Sequence, residues 1–241
     1  MYAGCGPYAT LLTPLLPLFK AEEIEVILID INEYSIQSAK EIIVKLQLED
    51  YIADAVCTNA INYKKPESWP LHLLISETMF NALTREPQLA ITANLAPQLV
   101  HNGILIPEEV NIDLVYTFFG KETYLNNKEE VFHQNKSAIK HEKVDRLFSL
   151  NKRNNFSEKT LEQHFQFESK VYEVPKENEN RRDICLFTEV KIFNEFILNN
   201  AKSFITNPHC ITAISNLGSD SKFQLIYDFK ENPNWTYRSL K

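Results

Sequence analysis

Residues 24–29 (Ile-Glu-Val-Ile-Leu-Ile) form a short, branched apolar run that stops at Asp30, and the spacing of apolar residues changes after it. A strand covered on both faces requires such a run. Ile36, Ala39, Ile42, Ile43 and Leu46 then recur at three- and four-residue steps, which predicts an amphipathic helix over 33–47. The alternation continues. Residues 51–57 are a weaker strand candidate, and 71–76 (LHLLIS) a strong one ending at Glu77. Residues 86–101 carry helical spacing with Pro97 as a bend or break, and Asn102-Gly103 marks a stop before a strand at 104–107. Strands separated by helices of this length predict a parallel sheet with helices on both faces. Ligands of such folds sit beyond the carboxyl ends of the strands, where Gly4, Asp30, Asn59 and Glu77 are expected.

The chain opens on a glycine-rich loop, Met1-Tyr2-Ala3-Gly4-Cys5-Gly6. Loops of the form Gly-x-Gly normally follow a buried strand and bring backbone N–H groups against a ligand where that strand ends. The expectation is therefore an N-terminus cut short at the loop, with the first strand missing. Alone, the loop also reads as a tight turn before a helix. Its weight rises because Asp30 ends the next strand some two dozen residues on, where a carboxylate accepts ribose hydroxyls of an adenosine-type cofactor. An acidic residue at a helix start is the structural alternative for Asp30.

At 241 residues, 44% hydrophobic and 24% charged, the chain has material for one large domain or two modest ones. The net charge of -7, with Lys and Arg scattered among Asp and Glu, argues against a dedicated nucleic-acid binder. Cys5, Cys57, Cys185 and Cys210 are far apart and form no CxxC pair, and no signal peptide is visible. Reduced thiols in a cytoplasmic protein are the expectation. No apolar run approaches the roughly 18–20 residues needed to span a bilayer, and Pro14 and Pro17 interrupt the longest. The histidines show no spacing for a metal site.

The pattern changes after Pro107. Residues 110–118 alternate partly, like an antiparallel strand, whereas 120–166 are polar and predict surface helices or an insertion between strands. Runs at 167–174, 184–193, 202–206, 211–215, 222–229 and 235–239 read as short strands, with 216–220 as a hairpin loop. Phe187, Phe193, Phe196 and Phe204 are expected in the core of this half. The chain reads as an α/β domain over 1–107 followed by a mostly antiparallel β domain over 108–241.

The motif order AGCGP (3–7), VILIDIN (26–32), TNAINY (58–63) and LLISE (73–77) resembles that of the class I S-adenosylmethionine-dependent methyltransferases. The resemblance implies a Rossmann-like sheet and S-adenosylmethionine as cofactor. It implies that Gly4, Cys5 and Gly6 approach the methionine part and sugar, that Asp30 binds the ribose, and that Asn59 and Ala60 lie near the adenine. Asn59 stands where the family usually has an acid; its amide oxygen can accept from the adenine amine. Asp54-Ala55 competes for that place.

The segment 76–86, SETMFNALTRE, resembles the double-glutamate loop of the protein arginine methyltransferases, with Glu77 and Glu86 nine positions apart as in that family. The family's Trp-Met-Gly is Thr78-Met79-Phe80 here. The resemblance is clear over about 3–119 and architectural beyond. It implies a catalytic pair, Glu77 and Glu86, acting on an arginine of a protein or peptide, and a homodimer built through an arm near 120–166. Paired carboxylates suit this chemistry because they grip a planar guanidinium in a bidentate manner and can accept its proton. Capping a strand end (Glu77) and starting a helix beside Pro87 (Glu86) are the structural alternatives. His209, in Asn-Pro-His-Cys, matches the family's Thr-His-Trp loop at one residue, and a turn histidine is the better reading. Tyr2 and Tyr8 flank the glycine loop and either cover a cofactor or pack in the core. Two further functions stay open at this stage: methyl transfer to a small molecule or other peptide nucleophile, and a degenerate methyltransferase fold that only binds a partner.

Overall fold

Strands β1 (Tyr2–Ala3), β2 (Val26–Asp30), β3 (Ile52–Cys57), β4 (Leu71–Ser76) and β5 (Leu99–Ile106) form one sheet in the order β3-β2-β1-β4-β5, with every neighbouring pair parallel. The computed structural model describes residues 1–123, 125, 140–153, 166–218, 221–229 and 232–240. Helices α1 (Glu33–Lys45) and α2 (Gln88–Leu95) supply the two covering layers. Alternate strand residues feed opposite faces, as the pleat requires. Tyr2, Val26, Leu28 and Ile75 pack with Ile36, Ala39 and Ile43 of α1. Ala3, Ile27, Ile29, Leu74 and Leu105 pack with Ile91 and Leu95 of α2.

The central position, where the sequence reading expects no strand before the glycine loop, is held by Tyr2–Ala3. Tyr2 pairs with Leu28 on one side and Ile75 on the other. The turn signal at Asn102-Gly103 does not end a helix. It lies inside β5, where the register jumps from Leu71↔Leu99 to Leu73↔Ile104 and the extra residues bulge out of the ladder. The helix itself stops at Leu95, and Pro97 sits in a single tight turn after it.

The second unit is β-rich. Strands β6 (Glu109–Thr117), β7 (Glu142–Asn151), β8 (Gln166–Glu173), β9 (Asp183–Phe193), β10 (Phe196–Leu198), β11 (His209–Ala213), β12 (Lys222–Asp228) and β13 (Asn234–Leu240) make two antiparallel sheets. One has the order β10-β9-β6-β7 with β11 also on β9; the other is β13-β12-β8. The architecture is therefore α/β with a Rossmann-like parallel sheet, followed by a mostly antiparallel β unit.

Four expectations for this half are corrected. The polar segment 120–166 contains a ten-residue strand, β7, which buries only Leu147 and Leu150 and places Lys143 and Arg146 on Asp113 of β6 at 2.6 and 2.9 Å. Residues 204–206 form a tight turn rather than a strand. Residues 214–217 are also a turn, and it leads from β11 in one sheet to β12 in the other, so no hairpin forms there. Phe196 and Phe204 are exposed. The core is built instead from Tyr172, Phe223, Tyr227, Phe229 and Trp235, with Tyr227 stacked on Trp235 at 4.7 Å between ring centroids.

The two units are Met1–Thr78 with Ala90–Ile106, and Met79–Leu89 with Pro107–Lys241. The sequence marks one change of character at Pro107, but the packing adds Met79–Leu89 to the β unit. Ala82, Leu83 and Leu89 belong to its hydrophobic core. No helix among the described residues is long and apolar enough to cross a membrane.

Candidate functional site

In the first unit the glycine loop turns directly after β1. Gly4 and Gly6 both have positive φ, +74° and +61°, which glycine adopts at no steric cost. A side chain on Gly4 would meet the backbone oxygen of Glu77 at 2.6 Å and the Thr78 methyl at 2.5 Å, so this glycine lets the loop pass against the end of β4. Nothing lies within 4 Å of the place a Gly6 side chain would occupy. The Gly4 and Cys5 N–H groups donate to the Ile29 carbonyl at 2.8 and 3.2 Å, tying the loop to the end of β2.

Asp30 completes that tie. Its Oδ2 accepts from the Gly6 N–H at 2.9 Å and its Oδ1 from the Asn32 N–H at 2.8 Å. The carboxylate bridges the glycine loop and the start of α1, each oxygen keeping a second lone pair for a ligand. The helix cap falls to Asn32, whose side chain accepts from the Tyr34 and Ser35 N–H groups at 2.9 and 3.4 Å. Cys5 is buried behind the loop, and burial together with Asp30 pushes its thiol up to about 12.

Asn59 and Ala60 follow β3. The Asn59 side-chain oxygen accepts from the Ile61 N–H at 3.0 Å, a local turn that leaves the amide nitrogen for a ligand. Ala60 is buried, and its carbonyl accepts from Asn94 Nδ2 at 2.9 Å. Asp54 pairs with Ile27, near the amino end of β2, and so lies away from the loops at the carboxyl ends.

Glu77 stands at the end of β4, its side chain exposed and its N–H on the Ala3 carbonyl at 3.0 Å. The Tyr2 hydroxyl, from the neighbouring central strand, donates to Glu77 Oε2. Tyr2 is fully buried, and burial with the Glu77 charge pushes its hydroxyl far above the ordinary tyrosine range. The hydroxyl therefore stays protonated and acts as a fixed donor to the carboxylate. Tyr8 is 60% exposed and takes no part in the core. Gly4, Gly6, Asp30, Asn59 and Glu77 thus share the carboxyl ends of neighbouring strands.

Glu86 belongs to the second unit, on the segment Met79–Leu89, and is exposed. Its carbonyl accepts from the Gln88 N–H at 2.9 Å, where α2 begins. This segment is strained. Ala82, Leu83 and Arg85 have φ of 53°, 58° and 67°, in the left-handed region that side chains disfavour. The β unit holds them there. The Ala82 N–H donates to Thr188 Oγ1 at 3.0 Å, Trp235 Nε1 donates to the Ala82 carbonyl at 2.8 Å, and the Tyr227 hydroxyl donates to the Leu83 carbonyl at 2.7 Å. The Arg85 N–H adds a bond to the Pro233 carbonyl at 2.8 Å. Backbone strain fixed by so many independent contacts is characteristic of functional loops. His209 opens β11, opposite Leu186, and is therefore a strand residue rather than part of a turn. Burial lowers its pKa from the ordinary histidine value, and the Arg85 charge lowers it further.

Sequence reasoning did not find Tyr2 as the partner of Glu77, nor Thr188, Tyr227 and Trp235 as anchors of the loop. An aromatic hydroxyl two residues before the first glycine was the one available signal. The part of the expected arm at 126–139 and 154–165 lies outside the described residues.

No protein-family model matches the chain, and no curated protein sequence matches it. Solved structures do. Protein arginine methyltransferase 1 of Trypanosoma brucei, in an enzyme–prozyme heterotetrameric complex with AdoHcy, aligns at 14% identity over 100% of this chain and 88% of its own, with a TM-score of 0.53. PRMT6 aligns at 10% identity over 98% and 89%, with a TM-score of 0.60. Protein arginine methyltransferase 10 of Arabidopsis thaliana aligns at 11% identity over 99% and 87%, with a TM-score of 0.55. The likeness runs the length of the chain and is one of fold.

Proposed function

We propose that this protein is an S-adenosylmethionine-dependent methyltransferase whose acceptor is the guanidinium of a protein or peptide arginine. One observation carries the reading: the glycine loop, Asp30 and an exposed carboxylate, Glu77, meet at the carboxyl ends of β1, β2 and β4, the region where folds of this class bind ligands. The likeness to solved arginine methyltransferases supports it.

The residues present fit the cofactor. The open space at Gly6 leaves its surroundings free for a ligand, and a side chain there would project into that space. Asp30 keeps acceptor capacity for ribose hydroxyls, and the Asn59 side chain, held through its oxygen by the Ile61 N–H, keeps its amide N–H groups as donors. The cofactor supplies an electrophilic methyl group on a sulfonium. The chain supplies orientation: Glu77, set by the Tyr2 hydroxyl, pairs with the guanidinium and holds one nitrogen for in-line attack. A carboxylate so placed also accepts the proton that the methylated nitrogen releases. The resemblance of 76–86 to the double-glutamate loop makes Glu86 the second candidate carboxylate, and its strained, anchored loop supports a functional role. A homodimer, extrapolated from the assemblies of such enzymes, is the matching assembly and is tested by light scattering at working concentration, where a monomer refutes it.

Two measurements test the reading. Calorimetric titration with S-adenosylhomocysteine should show saturable binding that Asp30→Ala weakens at least tenfold; absence of binding by the wild-type chain removes the enzyme reading. Transfer of a labelled methyl group to arginine-rich peptides should then fall by two orders of magnitude or more in Glu77→Gln. Unchanged turnover in that variant removes the guanidinium clamp and favours a different acceptor.

A further inference from the structure

The β unit holds a pair of cysteines that the proposed methyl transfer does not use. Cys185 lies in β9 and Cys210 in β11, and the antiparallel register sets them directly opposite each other. Residues so paired project from the same face of a sheet, with Cα atoms about 4.5–5.5 Å apart. That separation lies inside the ~4.4–6.8 Å window that a disulfide spans. Both thiols are free. The register therefore sets the two side chains side by side on neighbouring strands. The register slips by one residue immediately after Cys210, leaving Ile211 as a bulge beside the pair. Cys185 is fully buried, between β6 and β11, whereas Cys210 is only partly buried on a strand that pairs with β9 alone among the described residues.

We propose that Cys185 and Cys210 are a redox modification site, closing to a reversible cross-strand disulfide when the protein meets a hydroperoxide. The differing environments assign the roles. The neighbouring Cys185 thiol lowers the Cys210 thiol below its ordinary range, while Cys210 and burial raise Cys185. Cys210 is the attacking sulfur. Its thiolate takes the distal oxygen of hydrogen peroxide, the O–O bond breaks, and hydroxide leaves and is protonated to water, giving Cys210 sulfenic acid. The Cys185 sulfur then attacks that sulfur; the S–O bond breaks, and the leaving hydroxide takes the Cys185 proton as a second water. Two thiols are oxidised, one peroxide is reduced, and two waters form.

The remaining cysteines have no comparable partner. Cys5 is buried with its thiol pushed up to about 12, and Cys57 is exposed with its sulfur on the Ile31 carbonyl. The bond would fix β11 one residue after His209. The turn before His209 accepts a hydrogen bond from Asn81 Nδ2 at the Asn207 carbonyl, so the staple lies three residues along the chain from a contact with the 79–89 segment.

Hydrogen peroxide treatment of the native full chain, followed by quenching, alkylation in denaturant and non-reducing peptide mapping, tests the proposal. The expected result is loss of two alkylatable thiols, one cross-linked peptide pair joining Cys185 to Cys210, and full reversal by dithiothreitol. Cys57→Ser should leave the link intact. Cys210→Ser, at the half-exposed position, and Cys185→Ala should each abolish it. The proposal is overturned if Cys185 and Cys210 both remain alkylatable under conditions that oxidise Cys57. It is equally overturned if the link appears only once the protein has been unfolded.

Discussion

Replacing Gly4 and Gly6 with alanine, one at a time, separates two reasons for a glycine that are usually confounded. Both residues sit at positive φ, so both alanines carry a left-handed backbone cost of about 1–2 kcal/mol. Both also gain about 0.4–1 kcal/mol from a less flexible unfolded chain. The net expectation for Gly6→Ala, whose new methyl group meets nothing within 4 Å, is a loss of only about 0.5–1 kcal/mol. Gly4→Ala adds a collision at 2.6 Å with the Glu77 carbonyl oxygen. That oxygen has little room to yield, because the Glu77 N–H is bonded to Ala3 and the Gly4 N–H to Ile29. Forcing a methyl group into such a place costs about 1–3 kcal/mol more. The difference between the two variants cancels the shared backbone and entropy costs and isolates the collision. Each unit contains one of the two tryptophans, Trp69 in the first and Trp235 in the second. Urea unfolding followed by Trp69 fluorescence in a Trp235→Phe background therefore reports on the sheet that carries the loop. A gap between the two variants below about 0.5 kcal/mol would refute the reasoning, because the collision would then have been relieved at no cost.

Three further outcomes are expected. Tyr2→Phe removes the donor that orients Glu77, a charge-assisted bond worth about 1–2 kcal/mol after allowance for the exposed carboxylate. Methyl transfer should fall by roughly tenfold with cofactor affinity unchanged, and an unaltered turnover number contradicts the positioning role. Thr188→Val leaves the buried Ala82 N–H without its acceptor and should cost the β unit about 1–3 kcal/mol in urea unfolding monitored at Trp235; a neutral effect would mean that the strained loop does not depend on this anchor. Because the folded-state pKa of His209 is lowered, its contribution is fully present above the ordinary histidine value of about 6.5 and is lost as pH falls through the lowered value. His209→Gln should flatten the acid side of the β unit's stability profile, and an identical slope in both proteins would exclude His209 as its source.

The elements legible in the sequence are those whose signal is local. β2 and β4 are apolar runs because both faces are covered, and α1 shows its buried stripe directly. β7 was hidden because one face is solvated and the irregular register on β6 breaks the alternation, so its Lys143 and Arg146 read as an ordinary charged surface. Asp30 and Glu77 could be singled out because each ends a strand. Their partners could not. Tyr2 and Glu77 are 75 residues apart, Ala82 and Trp235 are 153 apart, and no periodicity encodes pairings over such separations.

The anchoring of the 79–89 segment also orders events during synthesis. Every strand of the parallel sheet has been made once Ile106 is in place, and N-terminal units commonly fold first as a chain emerges. The loop bearing Glu86 must wait far longer, because Tyr227 and Trp235, which hold the Leu83 and Ala82 carbonyls, lie on the last two strands. Until those strands emerge from the ribosome, the Ala82 N–H has its Thr188 acceptor on β9, but the Ala82 and Leu83 carbonyls lack their side-chain donors. A nascent chain that already displays the glycine loop and Asp30 thus carries this loop unset, and translation of β13 supplies its last side-chain anchor.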